Sequence, residues 1–426
     1  MPQPSQSHPM PRNTRAMIAV IGCSVAVFWP GALNFGFPGV MASVWQEMFH
    51  VGRGTIGNTI FFMLAAVGIF MFLVGRWQEL YGTRRMITLG VVLCGLCVLL
   101  VAYAKSIVVI YVWAFLTGLS TCFVYIPALT TAQRWYPERK GLVSGFVSMV
   151  FGLSAAVMSP LFDRMLTSLG YERMNLTIAF LALAFGLLGA YFSFGRDSEE
   201  ARAIPAEGRP PADRDDCSSP PGWELWKRSL TVGESLHTRS FWFLWITWAL
   251  AGAAGVTMVT LSTAWGLSRG YALESAILIL MAFNLTNGVG RLFSGYFSDL
   301  IGRNRIMSMA FFAAGLAYFA LPWADSLFAS AILASVVGFA FGTLFAVSAP
   351  LVADCFGLKH FGAIFGLAFA AYGFVAGPLG PTLAGYLLDA TGDDFLPVFL
   401  YLGIFYILSG LLVRFVVPPA LNQETP

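Results

Sequence analysis

The sequence predicts an all-α integral membrane protein of twelve transmembrane helices arranged as two six-helix repeats. Three observations carry this. The chain of 426 residues is 57% hydrophobic and only 11% charged, against about 25% charged and 45–50% apolar residues in an average soluble domain. Its apolar residues gather into about twelve runs, each near the ~20 residues that a spanning helix needs. Landmarks of the first half recur in the second at a nearly constant offset.

Taken in order, residues 1–15 form a polar, Pro-rich tail. No cleavable signal precedes the first apolar run, so that run is expected to remain as a helix. The first six runs lie near 16–44, 55–75, 86–104, 107–132, 141–168 and 174–195. Trp29-Pro30 and Gly36-Phe37-Pro38 place a bend in the first, which membrane helices tolerate better than soluble ones. Residues 196–240 are the one long polar stretch, with Glu199-Glu200-Ala201-Arg202 and Asp213-Arg214-Asp215-Asp216. Such composition cannot bury a core; it reads as a cytoplasmic linker with one surface helix near Trp223–Leu230. A second set of six runs follows, near 241–266, 274–298, 305–323, 327–353, 361–388 and 395–417, and residues 418–426 close the chain as a tail. The two bundles are thus expected over 16–195 and 241–417.

Most of the 25 Lys and Arg residues fall on the side of the N-terminus; the other side holds Arg53, Lys105, Arg164, Arg173 and Arg269. By the positive-inside rule both termini and the linker are cytoplasmic, in a multi-pass protein of the inner (plasma) membrane expected to act as a monomer. The asymmetry also supports the helix count, since a missed helix would scramble it.

Gly75, Glu79 and Gly82 recur as Gly295, Asp299 and Gly302, 220 residues on; Gly141, Gly145, Gly152 and Pro160 recur as Gly362, Gly366, Gly373 and Pro381, 221 on. Several landmarks sharing one offset imply a unit built twice in parallel, an architecture that carries a substrate site between the halves near the bilayer midplane.

Composition excludes other classes. The net charge of +3 and the lack of a basic run with interleaved aromatics give no case for nucleic acid. Cys94-Gly95-Leu96-Cys97 lies in an apolar run without a second pair or a nearby histidine, and reads as packing rather than a redox or metal site. No nucleotide fingerprint is present, and no cofactor or metal is expected. A membrane-embedded enzyme would need clustered His, Cys or carboxylates, which the runs lack. A non-transporting receptor stays open.

One residue breaks the pattern. Arg291 stands about mid-run in the eighth apolar segment, where an arginine costs roughly 2.5–3.5 kcal/mol on insertion scales and is usually functional. Asn284 and Asn287 precede it at the spacing that shares a helix face. The guanidinium never deprotonates and presents five donors in a fixed fork, which suits a carboxylate. The other reading is a structural arginine bonded to backbone, weakened by the lack of a mid-helix Asp or Glu. Asn284 and Asn287 would steer Arg291 or bond a substrate hydroxyl; interhelical hydrogen bonding is the alternative. Asn34, in the bend-prone first run, is a further candidate. Glu79 with Arg84 and Arg85, and Asp299 with Arg303 and Arg305, stand at cytoplasmic helix ends as a gate that would latch in one state; a solvated turn is the alternative.

Gly295-x3-Asp299-x2-Gly302-Arg303-x-Arg305 resembles the signature loop of the major facilitator superfamily, and Gly75-x3-Glu79-x2-Gly82-Thr83-Arg84-Arg85 a divergent copy. Within it, the run from Tyr125 to Gly141, the run from Thr231 to Trp245 and Asn287-x3-Arg291 are similar to the oxalate:formate antiporter and monocarboxylate transporter group. The resemblance implies that Arg291 binds a substrate carboxylate and that Tyr125 lines the cavity. Two departures matter. Where the resembling oxalate exchangers have a second cation, a lysine on the eleventh helix, this chain has Tyr372. Where animal monocarboxylate transporters have an aspartate one turn before the arginine, it has Asn287, and the first run lacks their lysine. One fixed cation matches one carboxylate, and a second would be left uncompensated. The expected substrate is therefore a small monocarboxylate of lactate or pyruvate size, moved by alternating access with a proton or in exchange for another anion. An oxalate-type dicarboxylate exchanger is the runner-up.

Overall fold

The computed structural model describes residues 12–51, 53–194 and 229–419. Every regular element among them is helical. The first half holds α1 (Arg12–Gly31), α2 (Phe37–Phe49), α3 (Arg53–Tyr81), α4 (Thr83–Ala102), α5 (Ile107–Trp135), α6 (Lys140–Leu169) and α7 (Tyr171–Phe192). The second holds α8 (Val232–Leu236), α9 (Arg239–Ser268), α10 (Leu273–Ile301), α11 (Arg303–Ala320), α12 (Leu327–Phe356), α13 (Phe361–Ala371), α14 (Leu383–Thr391) and α15 (Phe395–Leu412). Among the described residues, 12 helices are long and apolar enough to cross a membrane. Large side chains such as Phe180, Phe328 and Tyr386 stay exposed, the outward apolar surface that a bilayer rather than water would cover.

The expected bend in the first membrane helix takes a specific form: α1 runs into α2 through a π-helical turn, Ala32–Gly36. The eleventh does the same twice, with π turns over Tyr372–Ala376 and Pro378–Thr382 between α13 and α14. Such turns slip one residue against the helical ladder and re-aim the side chains that follow.

A short helix, α8, stands just ahead of the second set of membrane helices. Ordered chain already precedes 241, because Thr231 and Glu234 close a capping box. The Thr231 backbone N–H donates to Glu234 Oε2 at 2.7 Å, and the Glu234 N–H to Thr231 Oγ1 at 3.3 Å, which satisfies two otherwise orphaned groups at the start of α8. The Thr231 N–H and hydroxyl, both donating to the Glu234 carboxylate, hold that carboxyl below the usual carboxylate range. Thr238 then caps α9 through the Phe241 N–H. The surface helix expected near Trp223–Leu230 falls mostly outside the described residues, as do Cys217 and most of the polar stretch.

The halves meet through small residues. A Cβ on Gly75 of α3 would strike the backbone of Gly362 at the start of α13, and one on Gly141 of α6 would strike Gly295 of α10. These are the repeated glycines, paired crosswise: each contact joins a second-helix copy to a fifth-helix copy. Further along, a Cβ on Gly373 would lie 2.6 Å from Gly68 Cα. Helix backbones come this close in membranes where side chains are missing.

Candidate functional site

Arg291 sits on α10, and among the described residues no other charged side chain lies as far from both ends of its helix. It is 2% exposed. Its Nε and Nη2 both donate to Asn287 Oδ1, one turn back, at 3.3 Å. Its Nη1 crosses to the first half and donates to the carbonyl oxygen and the Oγ of Ser148 on α6, each at 3.2 Å. The guanidinium lies over the Phe345 ring of α12, 4.6 Å from its centroid, a desolvated cation–π contact. Against it stands Gly152, where a Cβ would come within 3.1 Å of Cζ and Nε. No carboxylate among the described residues pairs with Arg291.

The structure brings Tyr125 and Tyr372 to the same place by different routes. The Tyr125 hydroxyl of α5 is 3.0 Å from Ser148 Oγ, and its ring rests 4.8 Å from that of Phe151. Tyr372 opens the π turn of the eleventh membrane helix; its ring centroid is 5.5 Å from Phe345, the same ring that carries Arg291. Trp248 of α9 and Phe369 pack on Tyr372 as well, at 6.1 Å and 5.6 Å. Gly252 leaves the room, since a Cβ there would meet the Tyr372 ring at 2.8 Å. The result is one cation in a setting of neutral hydroxyls, an amide and aromatic faces.

The asparagines divide. Asn287 binds Arg291 directly. Asn284 is exposed, about one further turn back along the same face of α10, and bonds to nothing among the described residues. Asn34 is turned elsewhere: its Nδ2 donates to Pro30 O at 2.7 Å and to Thr121 Oγ1 on α5. It is joined to the first half's own helices and not to Arg291, because the π turn aims it at α5.

The gate residues also divide. Asp299, at the end of α10, accepts from the N–H groups of Gly141 and Leu142 at 3.0 and 2.8 Å. It therefore caps the N-terminus of α6 across the boundary between halves, where backbone donors and the helix dipole favour an anion. Arg303 bonds Asp299 and reaches Asp354 of α12 at 3.0 Å, and Lys140 of α6 also pairs with Asp354. The expected pairing in the first-half copy is corrected. Glu79 is paired not with Arg84 or Arg85 but with His360, whose Nδ1 is 2.9 Å away. Arg84 packs over the Tyr191 ring instead. Arg85 and Arg305 point outward and are exposed; their positions after the helix break carry them away from the carboxylates.

Ser148, Phe345, Lys140, Asp354 and His360 were not picked out as site residues from sequence. Lys140 was visible only as a charge beside a helix start. Ser148 and Phe345 carry no marker at all.

The Major Facilitator Superfamily profile matches residues 17–331 and, in a second overlapping match, 274–426. The chain belongs to this superfamily and is a multi-pass membrane transporter of that kind. It is 26% identical over 323 residues to the oxalate:formate antiporter of Oxalobacter formigenes, covering 74% of this chain and 70% of that one. It is 24% identical over 430 residues to monocarboxylate transporter 2 of Meriones unguiculatus, covering 96% and 86%. In fold it is similar to the Escherichia coli fucose:proton symporter FucP, with a TM-score of 0.68, 13% identity, and coverage of 94% and 98%. The proton:xylose symporter XylE gives a TM-score of 0.68 at 13% identity, with coverage of 96% and 97%.

Proposed function

We propose that this transporter carries a small monocarboxylate of lactate or pyruvate size across the membrane by alternating access. The observation that carries the reading is a buried guanidinium with only neutral acceptors around it among the described residues. A desolvated charge without a counter-charge is costly, and a substrate carboxylate supplies the missing one. Two relatives named for monocarboxylate transport and for oxalate:formate exchange are consistent with an organic anion. Tyr372, where a second cation would serve a dicarboxylate, favours the singly charged substrate. Tyr125, Asn287 and Asn284 are the proposed polar lining, while Glu79, His360, Asp299, Arg303, Asp354 and Lys140 form the proposed latch on the linker side. That latch is closed here, which fits one of the two end states of alternation. The carrier couples the anion either to a proton or to a counter-anion.

The test is counterflow of labelled lactate or pyruvate into liposomes holding the purified protein, with oxalate as competitor and with an imposed pH gradient in a second arm. Expected are robust counterflow, weak oxalate competition, and none of the counterflow in Arg291→Lys, which keeps the charge but loses the fork. Absence of counterflow in the parent, or normal counterflow in the lysine variant, would overturn the reading. Strong oxalate competition would favour the dicarboxylate exchanger. Net uptake driven by the pH gradient alone would assign proton symport.

A further inference from the structure

We infer that Ser148 holds the substrate's place on Arg291: its hydroxyl and carbonyl occupy Arg291 Nη1, and the substrate carboxylate displaces the hydroxyl. The inference rests on the proposed carboxylate reading of Arg291. Ser148 is fully buried and, among the described residues, is the one through which the Arg291 side chain hydrogen-bonds the first half; Asn287 lies on the same helix as Arg291 and moves with it. The bonds to Ser148 are 3.2 Å long and end on neutral oxygens. A carboxylate normally sits about 2.7–2.9 Å from a guanidinium nitrogen and binds roughly twice as strongly, so it outcompetes a serine hydroxyl for the same nitrogen.

The displacement has two further consequences on the page. Ser148 Oγ is also the partner of the Tyr125 hydroxyl at 3.0 Å. When the carboxylate takes Nη1, that hydroxyl loses its bridge to Arg291, and Tyr125 can turn its O–H to the substrate. The hydroxyl bond is also one of the two ties that Ser148 makes between α6 and α10 at the level of the site. Breaking it on binding removes one of the contacts that hold the halves in their present relation.

The prediction differs in sign from that for a residue that merely packs or binds. Ser148→Ala removes the competitor and frees Tyr125, so the half-saturation concentration for pyruvate should fall about two- to tenfold, the worth of one net hydrogen bond. Ser148→Cys, close in size but a weak acceptor, should fall in the same direction. Adding Tyr125→Phe to Ser148→Ala should raise the value again. The measurement is concentration-dependent pyruvate counterflow in liposomes, normalised to reconstituted protein. An unchanged or raised half-saturation in Ser148→Ala overturns the inference; if that variant does not fold, the cysteine variant decides by the same criterion. If the parent shows no pyruvate counterflow, the carboxylate reading fails and the inference with it. Parent counterflow with unshifted serine variants overturns the inference alone.

Discussion

Arg291 is pinned between a ring and a gap. Phe345 holds one face of the guanidinium, and Gly152 leaves room beside its Cζ and Nε. A Cβ at 152 would sit at 3.1 Å from Cζ and Nε, tighter than ordinary contact, and the guanidinium cannot swing freely because four hydrogen bonds fix it. Gly152→Ala is therefore expected to fold and reach the membrane while losing most transport, by tenfold or more if even one charged hydrogen bond worth about 1.5–3 kcal/mol is broken. Uptake normalised to membrane-inserted protein checks it; parent-like uptake would mean that the guanidinium has slack. At this scale the arginine was legible because a charge in an apolar run has no bland explanation. Tyr125 was legible through its motif, and Tyr372 by counting from Gly373. Ser148 and Phe345 were not, since a serine or phenylalanine in a membrane helix is ordinary and only the fold brings either to the arginine. Asn34 shows the converse: a polar residue near a bend drew attention, but the turn directs it to Thr121.

At the scale of elements, the end of α10 caps the start of α6. Asp299 is the acceptor for two backbone N–H groups of the other half, so its charge acts on the start of α6 and not only on its own loop. Asp299→Asn replaces one carboxylate oxygen by an N–H donor facing a donor and removes the attraction to the helix N-terminus. The expected outcome is a shift toward a state open on the linker side. Spin labels on cysteines at the exposed positions 139 and 305 would report it as a longer distance distribution in the variant; an unchanged distribution would show that Arg303, Lys140 and Asp354 suffice. The helix ends were readable to within a few residues from apolar runs. The π turns were not, because proline and glycine announce a bend without saying how the backbone absorbs it. The short α8 was not legible although Thr231 and Glu234 spell a capping box, since the surrounding polar composition outweighed a local signal.

For the whole molecule, the duplicated landmarks gave the two bundles, and the structure adds how they face each other. The glycines that repeat are the glycines that touch. Sequence offset reveals equivalence but not contact, which is why the crossed pairing of Gly75 with Gly362 and of Gly141 with Gly295 needed coordinates. Orientation in the membrane is the remaining expectation at this scale, and it has a direct reporter. Cys23, Cys94, Cys97, Cys122 and Cys355 are all buried, leaving Cys217 of the polar stretch as the target for an impermeant thiol reagent. Labelling is expected only after cells are opened, and a Cys217→Ser control should abolish it. Labelling of intact cells would invert the topology.

The crossed glycines have a consequence for charge parity. Two identical chains meeting in this way would form an isologous dimer, in which every residue near the axis occurs twice. A buried arginine there would bring its twin, and two like charges would face each other. In this chain the position 220 residues before Arg291 is Met71, 1% exposed. Both take the same place in the crossed contact, since a Cβ on Gly145 would press on the Arg291 carbonyl oxygen and one on Gly366 on that of Met71. Holding both copies in one polypeptide is what allows a seat with an odd number of charges. It also makes the crossed contact unlike on its two sides, with a cationic residue on α10 where α3 carries a neutral one.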